Sequence, residues 1–238
     1  MQWAAALGVA LLSATSASAI PELQLYIEGA TFDYSTETWV VESTGSLRLW
    51  TIGNVGAKGP IYDVKLAIAY ESGLTPTFGL TGSTTGGYQG FADPSAASNP
   101  VFSKTVTDGS LPVLGDGTLL PSHGIYGSGT TWTEYLLGDF TLTDSYITDF
   151  NGWTDSPVPG TRMGQINVYD FSFAGVPEGT TFHFDMYDHY YSRQGVATYK
   201  FAPFSHDGET GTVPEPGTLA LVGMGVAGLA TRLRRRVS

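Results

Sequence analysis

From residue 20 onward the chain is organised by alternation. Over 61–70, Tyr62, Val64, Leu66, Ile68 and Tyr70 occupy every second position, with Asp63 and Lys65 between them. That period of two is the mark of a strand with one buried and one solvated face. Residues 181–187 repeat the pattern, with Phe182, Phe184 and Met186 opposite His183, Asp185 and Tyr187. Similar stretches at 22–28, 38–42, 46–52, 101–106, 134–142, 164–173 and 195–201 bring the predicted strands to about nine. No helical period longer than about ten residues interrupts them. Gly- or Pro-rich breaks fall at 53–60, 82–90, 115–117, 124–129, 156–160 and 175–179. The stretch 82–131 is poor in strand signals and reads as loop-rich. Without a repeat of fixed period, solenoids and propellers recede. The expected fold is all-β, a single antiparallel β-sandwich of jelly-roll-like form over residues 20–212.

Both ends depart from this pattern. Residues 3–12 are apolar, and small residues follow up to Ala17-Ser18-Ala19, an A-x-A cleavage pattern. Residues 1–19 are accordingly expected to be a signal peptide, removed by signal peptidase to leave Ile20 first. No Lys or Arg precedes the apolar run, so the α-amino group alone supplies the usual positive charge. At the other end, Val213-Pro214-Glu215-Pro216-Gly217 leads into an apolar stretch over 218–230 and then into Arg232, Arg234, Arg235 and Arg236. The prolines hold the chain extended and open to a protease. The apolar stretch is short against the roughly 20 residues that span a bilayer, and the arginines would stay on the cytoplasmic side.

These three parts in this order, covering 213–238, resemble the PEP-CTERM sorting signal of exosortase substrates. The resemblance implies a short transmembrane helix that anchors the chain transiently in the inner membrane. It also implies an exosortase cut near Pro-Glu-Pro and a final place outside a Gram-negative, exopolysaccharide-producing cell, secreted or on the surface. Residues 21–70 carry a second resemblance. Pro-Glu-Leu-Gln-Leu-Tyr-Ile-Glu-Gly-Ala-Thr-Phe-Asp from Pro21, Glu37-Thr-Trp-Val-Val, Leu47-Arg-Leu-Trp-Thr-Ile-Gly and Gly59-Pro-Ile-Tyr-Asp-Val-Lys-Leu-Ala-Ile-Ala-Tyr look like the choice-of-anchor N family. That label concerns anchoring and implies no activity.

Composition narrows the function. Of 238 residues only 14% are charged, and the net charge is −11. Between Ile20 and Val213 there are 7 Lys/Arg against 21 Asp/Glu. So acidic a surface repels nucleic acid, whose binding requires cations that displace counterions. It suits an exported protein and can attract divalent cations. With no cysteine, stability must come from packing without disulfides.

Candidate chemistry is sparse. His183 and Asp185 share a strand face at a spacing that can place two ligands on one metal, with His206 or Asp207 as a third. The plainer reading is a polar outer face. Calcium suits an acidic exported sandwich better, and a structural Ca2+ is the one cofactor the composition leaves open. Its oxygen ligands are plentiful in Asp108-Gly, Asp116-Gly, Asp139 to Asp149 and Asp207-Gly-Glu209, although Asp-Gly is also ordinary turn chemistry. A carboxylate pair for glycoside hydrolysis arises too easily by chance among so many acids. No Gly-x-Ser-x-Gly elbow surrounds any serine, and Ser122-His123-Gly124 is a loop tripeptide. Trp132, Trp153, Tyr190 and Tyr191 are the rings best placed to stack on sugars, with Trp39 and Trp50 further candidates; rings are more often core than platform. The sequence thus predicts no enzyme. It predicts an exported structural or adhesive protein of an exopolysaccharide matrix, with a carbohydrate-binding module as the alternative and a hydrolase behind it.

Overall fold

The computed structural model describes residues 20–36, 38–43, 45–83, 88–91, 97–122, 124–150, 158–191, 195–203 and 207–212, apart from the side chains at 58, 189–191, 207, 211 and 212. The elements in chain order are β1 (Leu23–Ile27), β2 (Thr31–Asp33), β3 (Thr38–Ser43), β4 (Ser46–Gly53), α1 (Val55–Lys58), β5 (Ile61–Glu71), β6 (Thr77–Gly82), β7 (Val101–Val106), β8 (Thr130–Phe140), β9 (Ser145–Ile147), β10 (Arg162–Ala174), β11 (Thr181–Tyr191), β12 (Ala197–Phe201) and β13 (Asp207–Thr212). All nine predicted strands are present. The short β2 and β9, together with β6 and β13, escaped the sequence reading. β13 has no apolar residue, and β6 carries its alternation in Phe78 and Leu80 alone.

Two sheets form the sandwich. The small sheet runs β1-β4-β10-β6, with β9 on one end of β10. The large sheet runs β2-β3-β13-β11-β5-β8-β7, with β12 on the far half of β11. Every pairing is antiparallel except β13 with β3, which run parallel. The core between the sheets follows the alternation. Leu23, Leu25 and Ile27 of β1, Tyr169 and Phe171 of β10, Val64, Leu66 and Ile68 of β5 and Phe182, Phe184 and Met186 of β11 are all buried in one cluster. At about 25 cal/mol per Å2 of apolar area removed from water, each contributes roughly 1.5–3 kcal/mol.

Both sheets are also covered on their outer faces, which simple alternation does not anticipate. On the small sheet, Tyr26 and Trp50 meet Tyr88, Phe91 and Phe150, with Phe91 stacked on Phe150 at 5.3 Å. Gln24 secures that cover through its side chain, donating to the Thr148 carbonyl (3.0 Å) and accepting from the Phe150 N–H (2.7 Å). On the large sheet, the stretch expected to be loop-rich folds back as a second cover. Leu114, Leu120 and Tyr126 pack on Ala67, Ala69, Trp132 and Tyr187. Its tip is a small hairpin: Leu114 and Leu120 donate to the Thr118 and Pro112 carbonyls, and Asp116 accepts from the Thr118 N–H and hydroxyl.

Candidate functional site

The large-sheet cover rests on a grid of cross-strand neighbours. His183 pairs with Ala69 and Ala69 with Trp132; one step along, Asp185 pairs with Ala67 and Ala67 with Glu134. The alanines leave room beside each larger side chain, and the cover fills it. Asp185 and Glu134 therefore stand two strand spacings apart, about 9.5 Å between backbones, and both are buried. The Tyr126 hydroxyl, from the cover, donates to Asp185 Oδ2 at 2.5 Å. His183 Nε2 lies 3.5 Å from the same oxygen. The Tyr187 hydroxyl donates to Glu134 Oε2, Ser103 Oγ donates to Glu134 Oε1 at 2.7 Å, and Lys104 Nζ approaches Oε2 at 3.7 Å. Burial, reinforced by the Glu134 carboxylate, pushes the Tyr187 hydroxyl far above its ordinary pKa, so it stays a neutral donor. Trp132 ties the cover down, its Nε1 donating to the Ser110 carbonyl at 2.7 Å.

This arrangement corrects two sequence expectations. The face carrying His183 and Asp185 is no solvated outer face: the two residues are 4% and 2% exposed beneath Tyr126. They do come together, but among the described residues no group of three or more His, Asp or Glu converges as a metal cluster. His206 lies outside the described residues. Trp132, proposed for sugars, is 1% exposed and forms the floor of the cover; Trp39 and Trp50 are buried as well. Trp153 lies outside the described residues. Tyr190 and Tyr191 are placed only as the last two residues of β11. The turn aspartates offered for calcium, Asp108 and Asp116, are bound to their own loops. The Ser110 and Thr118 hydrogen bonds hold both carboxyls below the usual aspartate range.

Sequence reasoning missed Tyr126, Glu134 and Tyr187 as partners of this buried grid. A signal was available in Lys65-Leu66-Ala67-Ile68-Ala69: small apolar residues recur where a solvated strand face would carry polar ones. Beside the grid, Asp63, Lys65, Gly115, Tyr187, Asp188 and Tyr199 line a pocket of about 200 Å3. A wider groove of about 480 Å3 crosses the open part of the small sheet, lined by Ser46, Arg48, Thr81, Asp170 and Ser172 among others. Arg48 is held there by Glu28 at 2.7 Å.

The sorting residues Ala17, Ala19, Pro214, Glu215, Pro216, Arg232, Arg234, Arg235 and Arg236 all lie outside the described residues. Among the described residues no helix is long and apolar enough to cross a membrane. Comparison with known proteins bears on the tail far more than on the sandwich. No curated protein matches the chain. One solved structure, titled "AvmM Catalyzes Macrocyclization in Alchivemycin A Biosynthesis", aligns over 82% of this chain and 91% of its own, at 8% identity and a TM-score of 0.33. So distant a likeness carries no argument. Residues 212–236, however, match the PEP-CTERM protein-sorting motif, and the chain is thereby an exported, exosortase-sorted protein anchored transiently at the membrane by its C-terminal tail.

Proposed function

We propose that the sandwich is a non-catalytic structural or adhesive module of an extracellular exopolysaccharide matrix, left outside a Gram-negative cell once signal peptidase and exosortase have trimmed its ends. The observation that supports this reading is the sealing of the chemistry-bearing face. Asp185 and Glu134, a buried acid pair two strands apart, are each held by a tyrosine hydroxyl beneath the cover. Groups packed in this way hold a sheet together, whereas general acid–base work needs a carboxyl that reaches substrate. The resemblance of 21–70 to a choice-of-anchor family points the same way, toward a domain defined by how it is displayed.

The carbohydrate-binding alternative shifts from aromatic rings to the polar groove on the small sheet. Arg48, Asp170, Ser46, Thr81 and Ser172 there offer donors and acceptors suited to sugar hydroxyls. The test is binding of the purified chain to the producer's own exopolysaccharide, alongside a glycan-hydrolysis assay. Saturable binding that falls in Asp170→Ala and Thr81→Ala variants favours the groove. Absence of binding and of hydrolysis leaves the structural role. Turnover of a glycan at enzymatic rates overturns both readings.

A further inference from the structure

β13 ends at Thr212, and only Val213 separates it from Pro214 of the sorting motif. It is no edge strand. It lies between β11 and β3, with Gly211 opposite both Thr181 and Glu42, and Thr212 opposite Ser43. Thr210 is fully buried, and a Cβ on Gly208 would lie 2.9 Å from Ile27 Cδ1. Peeling β13 away to lengthen the tail would break backbone hydrogen bonds on both of its sides. The reach of the tail is therefore set where the sheet ends. From Thr212 to Pro216 even a fully extended chain covers at most about 14 Å.

Four turns share that end of the sandwich. Glu71 of β5 pairs with Thr130 of β8, and the Ser72 N–H donates to the Gly129 carbonyl at 2.7 Å. Ala174 of β10 pairs with Thr77 of β6, and the Phe173 N–H donates to the Gly45 carbonyl at 2.9 Å. The turns at 43–46, 72–76, 127–129 and 175–180 thus gather where the tail leaves. Two of them are closed by their own side chains: Ser43 Oγ donates to the Ser46 carbonyl and Thr180 Oγ1 to the Pro177 carbonyl, each at 2.7 Å. Their described residues are Gly, Ser, Thr and Pro with Leu74 and Val176, and Glu178 is the single charge among them. Glu42 and Glu71 stand at the rim. The opposite end, at 54–60 and 141–149, carries Lys58, Asp144 and Asp149. An otherwise acidic domain therefore presents a nearly uncharged face at the exit of its tail.

We propose that this end of the sandwich docks against the exosortase while the tail is cut. The proposal rests on the sorting reading of the tail. A bond near Pro214-Glu215-Pro216 lies no farther from the folded sheet than about the width of one helix with its side chains. An enzyme that closes on that bond meets the turns. Small uncharged residues let its surface approach without leaving a charge desolvated, and turns already held by their own bonds lose little freedom on contact. Lys and Arg, which would draw an anionic lipid surface, are absent from these turns, and this favours a protein partner over lipid headgroups.

Pulse–chase of the full-length chain in the producer's cells, with intact mass separating precursor from cut chain, tests the contact. Thr75→Glu combined with Thr181→Glu, both at exposed positions of this end, should slow the cut about tenfold, since an unpaired charge is costly inside an interface. The lysine pair at the same positions should slow it similarly. Thr143→Glu, exposed at the other end, should be cut at the wild-type rate. A flexible Gly/Ser insertion of about eight residues after Thr212, which adds roughly 16 Å of reach, should restore cutting of both pairs. Thermal melts of the purified variants check their folding, and Ser128→Glu, at the exposed tip of the 127–129 turn, replaces a pair that melts low. Charged variants cut at the wild-type rate overturn the proposal, as does a slowing that the insertion does not relieve. Faster cutting of the lysine pair with slower cutting of the glutamate pair overturns it in favour of anionic headgroups. A wild type that keeps its arginine cluster in every fraction overturns the sorting reading itself, and the proposal with it.

Discussion

Glu134 shows how much a single buried carboxylate depends on its donors. It is 3% exposed and accepts from Tyr187 and Ser103, with Lys104 nearby. Tyr187→Phe keeps the ring that packs under the cover and removes only the hydroxyl. The desolvated oxygen then lacks its donor, and the expected loss is about 1–3 kcal/mol of folding stability. Urea denaturation measures this, and a midpoint unchanged from wild type would show that the bond contributes nothing. At this scale the sequence was misleading as well as informative. Alternation placed His183, Asp185 and Tyr187 on one face, which is where the structure has them, but β11 itself carries no sign that the face is covered; that sign lies in Ala67 and Ala69 of β5. Trp132, a sugar-facing candidate beside the commoner core reading, belongs to the core for the same reason, its indole reaching from the sheet to the Ser110 carbonyl.

The element that decides the character of the large sheet is the 107–130 cover, which has little regular structure and reads as loop. Its shape depends on close backbone approaches more than on periodicity. Gly109 sits at φ +72°, and a Cβ there would lie 1.8 Å from the Gly127 carbonyl oxygen; Gly117 sits at φ +84° in open space. Both backbones favour glycine, but only Gly109 also has a rigid neighbour in the way. Gly117→Ala should cost about 1 kcal/mol from backbone strain alone. Gly109→Ala should cost clearly more and should loosen the cover. Paired thermal melts and limited proteolysis within 107–130 check the order, and equal effects would refute this account of Gly109. The regular elements were far more legible, because β5, β10 and β11 carry long apolar alternations that announce themselves. β6, with only Phe78 and Leu80 to alternate, and β13, with no apolar residue, do not.

For the whole molecule, the tail and the sandwich are separate devices: one routes the chain and the other persists after routing. The PEP-CTERM motif predicts that chains recovered from the medium or the cell surface have lost Arg232, Arg234, Arg235 and Arg236, whereas membrane precursors keep them. Pro214→Ala with Pro216→Ala should shift the balance toward the precursor, because the extended, helix-breaking segment offered to the protease is gone. Intact-mass analysis of each fraction reads the outcome, and retention of the arginine cluster in every fraction would refute processing.

The sequence by itself determined the class of the fold, the core between the sheets and the sorting signal. Each of these is written in local order: a period of two, a run of apolar residues, a short motif followed by charge. Tertiary structure alone decided which polar faces are solvated, because exposure depends on what another part of the chain lays across them. Ala67 and Ala69 hinted at the cover without naming Tyr126 as its polar contact.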